Sequence, residues 1–421
     1  VTAGTSPGLP GVRTAHRLDN GLEVQLLRNA DAPVVTTALT YRAGSRLEPA
    51  GRSGLAHFLE HMMFKGSARF GPGEIDRRTR RLGGSNNAFT THDSTTYHFS
   101  FAADRWHEAL DLEADRMRGL TLAPPEIERE RSVILEELAM YEAEPWDALE
   151  RRVLEALFGD HSYGRPIIGR RADVEAIGAE DLVEFHRRRY LPDNAVLVVA
   201  GGLGDDAIER VATAFGDVPA GDPQAAGPLP PGAPAGASRV VIERGGVDRL
   251  LLALPTPPLD HPDFPALRLA GALLATGRSG RLNDRLVERD SLCGWVAASL
   301  SETDLGGTLT IVAETVPGVD PHRVEEIVLA ELERLRRGDL ERPALDRARR
   351  MLAADWVFAH ERIEAQALTL AQASAGPGPD YPDRQLAAIA ALDPDPVVEA
   401  ARRWLDPALG SVLGWSLADR G

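Results

Sequence analysis

Cysteine is almost missing from this chain: Cys293 is the only one among 421 residues. A single thiol excludes an intrachain disulfide, a cysteine-rich zinc ribbon, an iron–sulfur site and a CxxC redox centre, and it assigns no compartment. No run of about 18 apolar residues occurs, so no segment meets the length criterion for a membrane-spanning helix. Positive charge is in deficit, with 47 Lys+Arg against 63 Asp+Glu and a formal charge of −16. That field repels phosphate backbones and anionic headgroups and argues against nucleic acid as a partner. Concentrated in a cleft, it favours Lys/Arg-rich peptides. Residues 1–8 lack a basic segment, an apolar segment and an initiator Met, which reads as a processed or trimmed start. The expectation is a periplasmic protein whose signal peptide has been removed, with a trimmed cytoplasmic chain as the alternative.

What is present describes a folded, water-soluble body of two to four domains, with 43% hydrophobic and 26% charged residues and a mean hydropathy of −0.20. Residues 216–238 crowd prolines and glycines between periodic segments and read as a linker. On either side stands a comparable closing signature, one from Arg188 through Tyr190 and Leu191 to Gly201, the other from Arg402 through Trp404 and Leu405 to Gly414. They align without a gap at an offset of 214 residues, Arg188 falling on Arg402. Two copies of one unit are expected, over residues 1–215 and 239–421.

Apolar patterns over Leu22–Leu27 and Pro33–Tyr41 predict paired strands, Leu55–Phe64 a helix, and Glu74–Leu82 a second helix ended by Gly83 and Gly84. The Thr-rich run Ala88–Phe101 returns to strand, and long helical patterns cover Arg105–Leu120 and run onward from Pro124. Elements grouped this way predict an α+β fold of mostly antiparallel sheets covered by helices. Strand order is not legible.

The chemistry is concentrated in His57-x-x-Glu60-His61. At about 100° per residue on a helix, His61 lies roughly 40° round from His57 and Glu60 roughly 60° the other way, so all three share a face. Two imidazoles at i and i+4 can bind one Zn²⁺, and the Glu can serve a metal-bound water as general base. H-x-x-E-H is the inverted form of the H-E-x-x-H metallopeptidase motif; the bland alternative is two core histidines beside an unrelated Glu. A catalytic zinc needs a third protein ligand. The helical run from Glu128 offers Glu130 and Glu137 on one face, with Glu136 turned about 100° away; one would ligate and the other orient, unless the cluster is merely a solvated face.

Other signals are weaker. Gly201-Gly202-Leu203-Gly204 completes no nucleotide-binding fingerprint; His92, His98, His107, His161 and His186 lack chelating spacing, and the arginine clusters at 77–81 and 187–189 read as solvated helix faces.

His57-x-x-Glu60-His61 with Glu137 76 positions on and Glu130 seven before it resembles the inverted-zincin family of pitrilysin, insulin-degrading enzyme and mitochondrial processing peptidase. Gly83-Gly84, Asn87-Ala88-Phe89 and Tyr190-Leu191-Pro192 extend the resemblance across the first half, and more weakly into the second. It implies that His57, His61 and Glu137 bind one Zn²⁺ per chain, that Glu60 activates water, that Glu130 supports the site, and that Asn87, Ala88 and Phe89 present a strand edge to an extended peptide. The second half departs from the family. Aligned on Arg281-Leu282, the substrate-contacting Arg and Tyr positions hold Val287 and Gly294, and Arg285, Arg289 or Trp295 replaces them only with a register shift. The resemblance therefore implies the zinc-bearing subunit of a heterodimer, whose homologous partner lacks H-x-x-E-H and carries the Arg/Tyr pair; a homodimer is the lesser alternative. The expected activity is zinc-dependent endopeptidase cleavage. The rivals are a non-catalytic scaffold or assembly subunit of the same fold and an enzyme of other chemistry reusing the zinc.

Overall fold

The computed structural model describes residues 8–221 and 237–418. In the first half the order is β1 (Val12–Arg17), β2 (Glu23–Arg28), β3 (Val34–Tyr41), α1 (Leu55–Met62), α2 (Glu74–Arg81), β4 (Ser85–Thr90), β5 (Thr95–Ala102), α3 (His107–Arg118), α4 (Pro124–Ala143), α5 (Pro145–Phe158), α6 (Arg171–Ala176), α7 (Ala179–Arg189), β6 (Ala195–Gly201) and α8 (Ala207–Phe215). The second half runs β7 (Ser238–Glu243), β8 (Arg249–Thr256), α9 (Phe264–Ala275), β9 (Cys293–Leu300), β10 (Gly307–Thr315), α10 (Pro321–Arg336), α11 (Arg342–Ala359), α12 (Ile363–Ala375), α13 (Tyr381–Ala391), α14 (Pro394–Trp404) and β11 (Val412–Leu417). Most of the expected linker, residues 222–236, lies outside the described residues.

The two sheets read β1-β2-β6-β3-β5-β4 and β7-β11-β8-β10-β9. Apart from the extra β1, they share one topology. Among the described residues, the one parallel pair in each joins the first equivalent strand to the last, β2 to β6 and β7 to β11. The α+β reading of two sheet-and-helix units therefore holds, and the 214-residue offset carries α7 onto α14 and α4 onto α11 to within a few residues. The run Ala88–Phe101, read as one strand, is a hairpin. Thr91 to Ser94 close a turn in which the Thr91 N–H donates to the Ser94 carbonyl at 2.8 Å and the Ser94 N–H to the Thr91 hydroxyl at 3.0 Å. The Thr91 hydroxyl, which accepts the Asp93 and Ser94 N–H groups, makes the turn without glycine or proline.

The halves exchange a helix. One face of the first sheet packs on its own α1 and α3, while the other packs on α12, with Leu27, Ala38, Val196 and Val198 against Ala367, Leu370 and Ala371. Reciprocally, α5 sends Leu149, Val153 and Leu157 onto Leu251, Ala253 and Val412 of the second sheet. Covered on both faces, β6 is buried along its whole length, which is why its sequence is a continuous apolar run rather than an alternating one. Gly414 on β11 permits the close approach of α5, since a Cβ there would stand 2.4 Å from the Val153 Cγ2.

Helix α1 is held by its own apolar stripe, Leu55, Phe58, Leu59 and Met62, all buried. Its start has no side-chain cap of the usual kind. Gly54 takes φ 96°, and a Cβ there would meet the Ile168 carbonyl at 2.6 Å. The buried Glu48 carboxylate reaches in instead and accepts the N–H groups of Gly54 (3.1 Å) and Ala56 (2.9 Å), satisfying donors that the first turn leaves open.

Candidate metal centre

Packing fixes where α1 points its polar face. With the apolar stripe in the core, His57 and His61 project toward α4, which buries Ile127, Glu130, Ile134 and Leu138. Glu137 lies on the edge of that buried face, half-buried, whereas Glu136 is exposed. One ligand atom from each of His57, His61 and Glu137 lies within 4.8 Å of the others. The Glu137 Oε2 is 3.9 Å from the His57 Nε2 and 3.7 Å from the His61 Nε2. Tetrahedral zinc with ligands at about 2.0–2.1 Å sets neighbouring donors roughly 3.3 Å apart, so small shifts would seat an ion.

The surroundings suit that ion. Burial, and next the neighbouring His61, push the His57 imidazole down to about 3, leaving it neutral as a ligand must be; its Nδ1 is buried without a partner. The His61 Nδ1 is 2.8 Å from the Glu130 Oε1, which turns its Nε2 toward Glu137. The other Glu130 oxygen pairs at 2.6 Å with Lys65, the only lysine in the sequence. Burial raises the Glu130 carboxyl, but the bonds from His61 and Lys65 outweigh it and hold the group below its ordinary range.

Glu60 is buried on the third side. Its Oε2 accepts the Thr90 hydroxyl at 2.5 Å, and desolvation lifts its carboxyl above the usual range against the opposing pull of Thr90 and His61. A raised carboxylate is a better proton acceptor near neutral pH. Thr90 escaped the sequence reading although it lies two residues after Ala88, on the same face of the strand. Lys65 escaped it too, and its signal was available: it stands one helical turn past His61.

Asn87, Ala88 and Phe89 lie on β4, the edge strand of the first sheet. The Asn87 side chain folds back to accept the Ala88 N–H at 2.9 Å, so that donor is reached once the amide swings away. A cavity of about 550 Å³ joins Ala88, Phe89 and Thr90 to the His57, Glu60 and Glu137 side chains. In the second half, Val287 packs against the core and Gly294 is exposed, with nothing within 4 Å of where its Cβ would be. Arg285 and Arg289 are tied to Asp290 (2.9 Å) and Asp284 (2.7 Å). Trp295, 40% exposed, is 5.3 Å from the Trp146 ring. Among the histidines set aside, His92 bonds Ser45 (3.0 Å), His161 caps the Tyr163 N–H (3.1 Å) and His186 meets the Arg116 carbonyl (3.0 Å).

Two repeated α+β units, of which among the described residues the first alone carries a His–His–Glu set, beside the buried Glu60, describe a metalloprotein of the metallopeptidase type. The comparisons agree. Residues 23–171 match the family described as Insulinase (Peptidase family M16), and residues 176–352 match the Peptidase M16 inactive domain. An uncharacterised zinc protease of Mycobacterium leprae is 34% identical over 295 residues, 69% of this chain and 66% of that relative, just under two thirds. An uncharacterised zinc protease of Mycobacterium tuberculosis is 33% identical over 338 residues, 78% of this chain and 77% of the relative. The crystal structure of a protease from Helicobacter pylori superposes with a TM-score of 0.89 at 25% identity, over 97% of this chain and 99% of that one. The chain belongs to the peptidase M16 family. Among the described residues no helix is long and apolar enough to cross a membrane.

Proposed function

We propose that this chain is the zinc-bearing subunit of a peptidase that hydrolyses extended peptides, with Glu60 as general base and a homologous partner completing the substrate site. The observation that carries the reading is the convergence of His57, His61 and Glu137 beside a buried Glu60; a scaffold has no need of the base. Zinc, which His57, His61 and Glu137 would hold, would supply a Lewis acid that lowers the pKa of a bound water towards about 7. The Thr90 hydroxyl holds the Glu60 Oε2, leaving Oε1 to take a proton from the attacking water and return it to the leaving amine as the peptide C–N bond breaks. Glu130 fixes the His61 ring, and the β4 edge aligns the substrate backbone by strand addition. The cavity wall also carries Asp147 and Glu150, both raised by burial first and then by an acidic neighbour, a setting that favours a basic substrate side chain.

The partner rests on what residues 285–294 lack. Gly294 offers no side chain, Val287 is turned to the core, and Arg285 and Arg289 are held in local ion pairs. Peptide cleavage, assayed with bound zinc quantified, is expected to appear when the chain is mixed with a homologous chain carrying the Arg/Tyr pair. Full activity from the chain alone, unchanged by any partner, would overturn the division of labour while leaving the zinc chemistry intact.

Thr90 gives a finer test. Thr90→Val is expected to lower kcat about tenfold, as loss of a hydrogen bond to a charged group does, with zinc content and KM held and with Thr90→Ser restoring the rate. A parallel rise in KM at unchanged kcat would make Thr90 a substrate contact instead.

A further inference from the structure

The internal repeat gives the region of the metal centre an equivalent in the second half. Carried by the 214-residue offset, Glu130 falls on Ala344 and Glu137 on Met351 of α11, while His57 and His61 fall on Gly271 and Ala275 of α9. The cleft between α9 and α11 is thus the second half's counterpart of the metal centre, and it is not filled in. A cavity of about 360 Å³ opens there, lined by Ala344, Met351 and the residues flanking Gly271 and Ala275. Its chemistry is inverted. Where the first half gathers carboxylates, this cavity gathers Arg281, Arg285, Arg289, Arg334 and Arg347. Three carboxylates share the lining, Asp284, Glu331 and Glu341, and Asp290 and Asp339 reach two of the arginines from beside it, so what distinguishes the cavity is how its guanidinium groups are paired.

The arginines are not equivalent. Arg285, Arg289 and Arg334 are paired with Asp290, Asp284, and Glu331 with Asp339. Among the described residues, Arg281 and Arg347 hydrogen-bond to backbone carbonyls, of Asp339 and Pro343, rather than to a carboxylate. Burial holds the Arg281 guanidinium below its ordinary range, against the pull of Asp339 and Glu331. Its Nη1 and the Glu331 Oε2 are both buried without a partner. The lining therefore brings together two guanidinium groups that hydrogen-bond no carboxylate, a buried unpaired donor and a buried unpaired acceptor.

We propose that this α9–α11 cavity is a binding site for a small phosphate-type anion, held by Arg281 and Arg347. Planar guanidinium groups match the oxygens of such an anion. At neutral pH hydrogen phosphate also carries a P–OH that can donate to a carboxylate such as Glu331, which sulfate cannot do. The site is independent of the peptidase reading, since none of its lining residues touches the zinc ligands.

Inorganic phosphate titrated calorimetrically into the zinc-loaded full chain, in a buffer free of other oxyanions, is expected to saturate one site per chain with a Kd of about 1 mM or tighter. Arg347 is exposed and has no carboxylate partner, so Arg347→Gln leaves the fold intact; it is expected to weaken binding about tenfold, and the Arg281→Gln/Arg347→Gln variant to abolish it. Sulfate is expected to bind more weakly than phosphate. A second preparation, His61→Ala with its zinc lost, is expected to bind phosphate as the parent does. The proposal is overturned by the absence of saturable binding, by affinity unchanged in Arg347→Gln, or by binding that disappears with zinc rather than with the arginines.

Discussion

Glu60→Gln is expected to keep its zinc and to lose turnover by about 10²- to 10⁴-fold, the usual span for removing a positioned general base. The substitution preserves shape, and the Thr90 hydroxyl can donate to the new amide oxygen as it does to the carboxylate. What disappears is the oxygen that accepts a proton. His57, His61 and Glu137 are untouched, so metal content measured on the assayed sample must match that of the parent. A variant with full zinc and activity within a few-fold of the parent would remove Glu60 from the role and send the search for the base elsewhere in the cavity.

Arg116→Met is expected to destabilise the protein by about 3–5 kcal/mol, the range for breaking a buried ion pair from one side. Arg116 is fully buried, binds both oxygens of the buried Glu113 at 2.7 and 2.6 Å, and lies 4.3 Å from the Tyr97 ring and 5.1 Å from that of Phe64. Phe64 follows α1 directly, so the guanidinium also braces the end of the helix that carries the histidines. Removing it strands a carboxylate in an aromatic core. Glu113→Gln/Arg116→Met, which removes the stranded charge, is expected to recover most of the loss, and urea midpoints at equal m-values measure both. A loss below about 1 kcal/mol in the single variant would mean the pair contributes little to holding that core.

The candidate metal centre was legible in the sequence because two histidines and a carboxylate that share a helix face need a local spacing. His57, Glu60 and His61 sit on one turn, whereas the interval to Glu137 was legible only through the resemblance to the inverted-zincin family. Glu136 and Glu137 are separated by helix geometry that sequence periodicity already states. Thr90 is different: its role depends on β4 lying beside α1, a tertiary fact with no periodic trace. The hairpin within Ala88–Phe101 was hidden because its turn is built from Thr91, Asp93 and Ser94 rather than glycine. The repeat was visible at Arg188 and Arg402, where a helix, a turn and a buried strand recur together. The exchange of α5 and α12 was not, since an amphipathic pattern says that a face is buried but not by which sheet.

That exchange changes what a break in the chain would mean. A cut between residues 221 and 237 would produce two fragments, each still gripping a helix that belongs to the other's sequence. Releasing either one strips Val196 and Val198 in one sheet and Leu251 and Val412 in the other of their cover at the same moment. The boundary drawn along the sequence is therefore not a plane of mechanical weakness, and the half that holds His57, His61 and Glu137 owes part of its folded state to residues more than 300 positions away from His57.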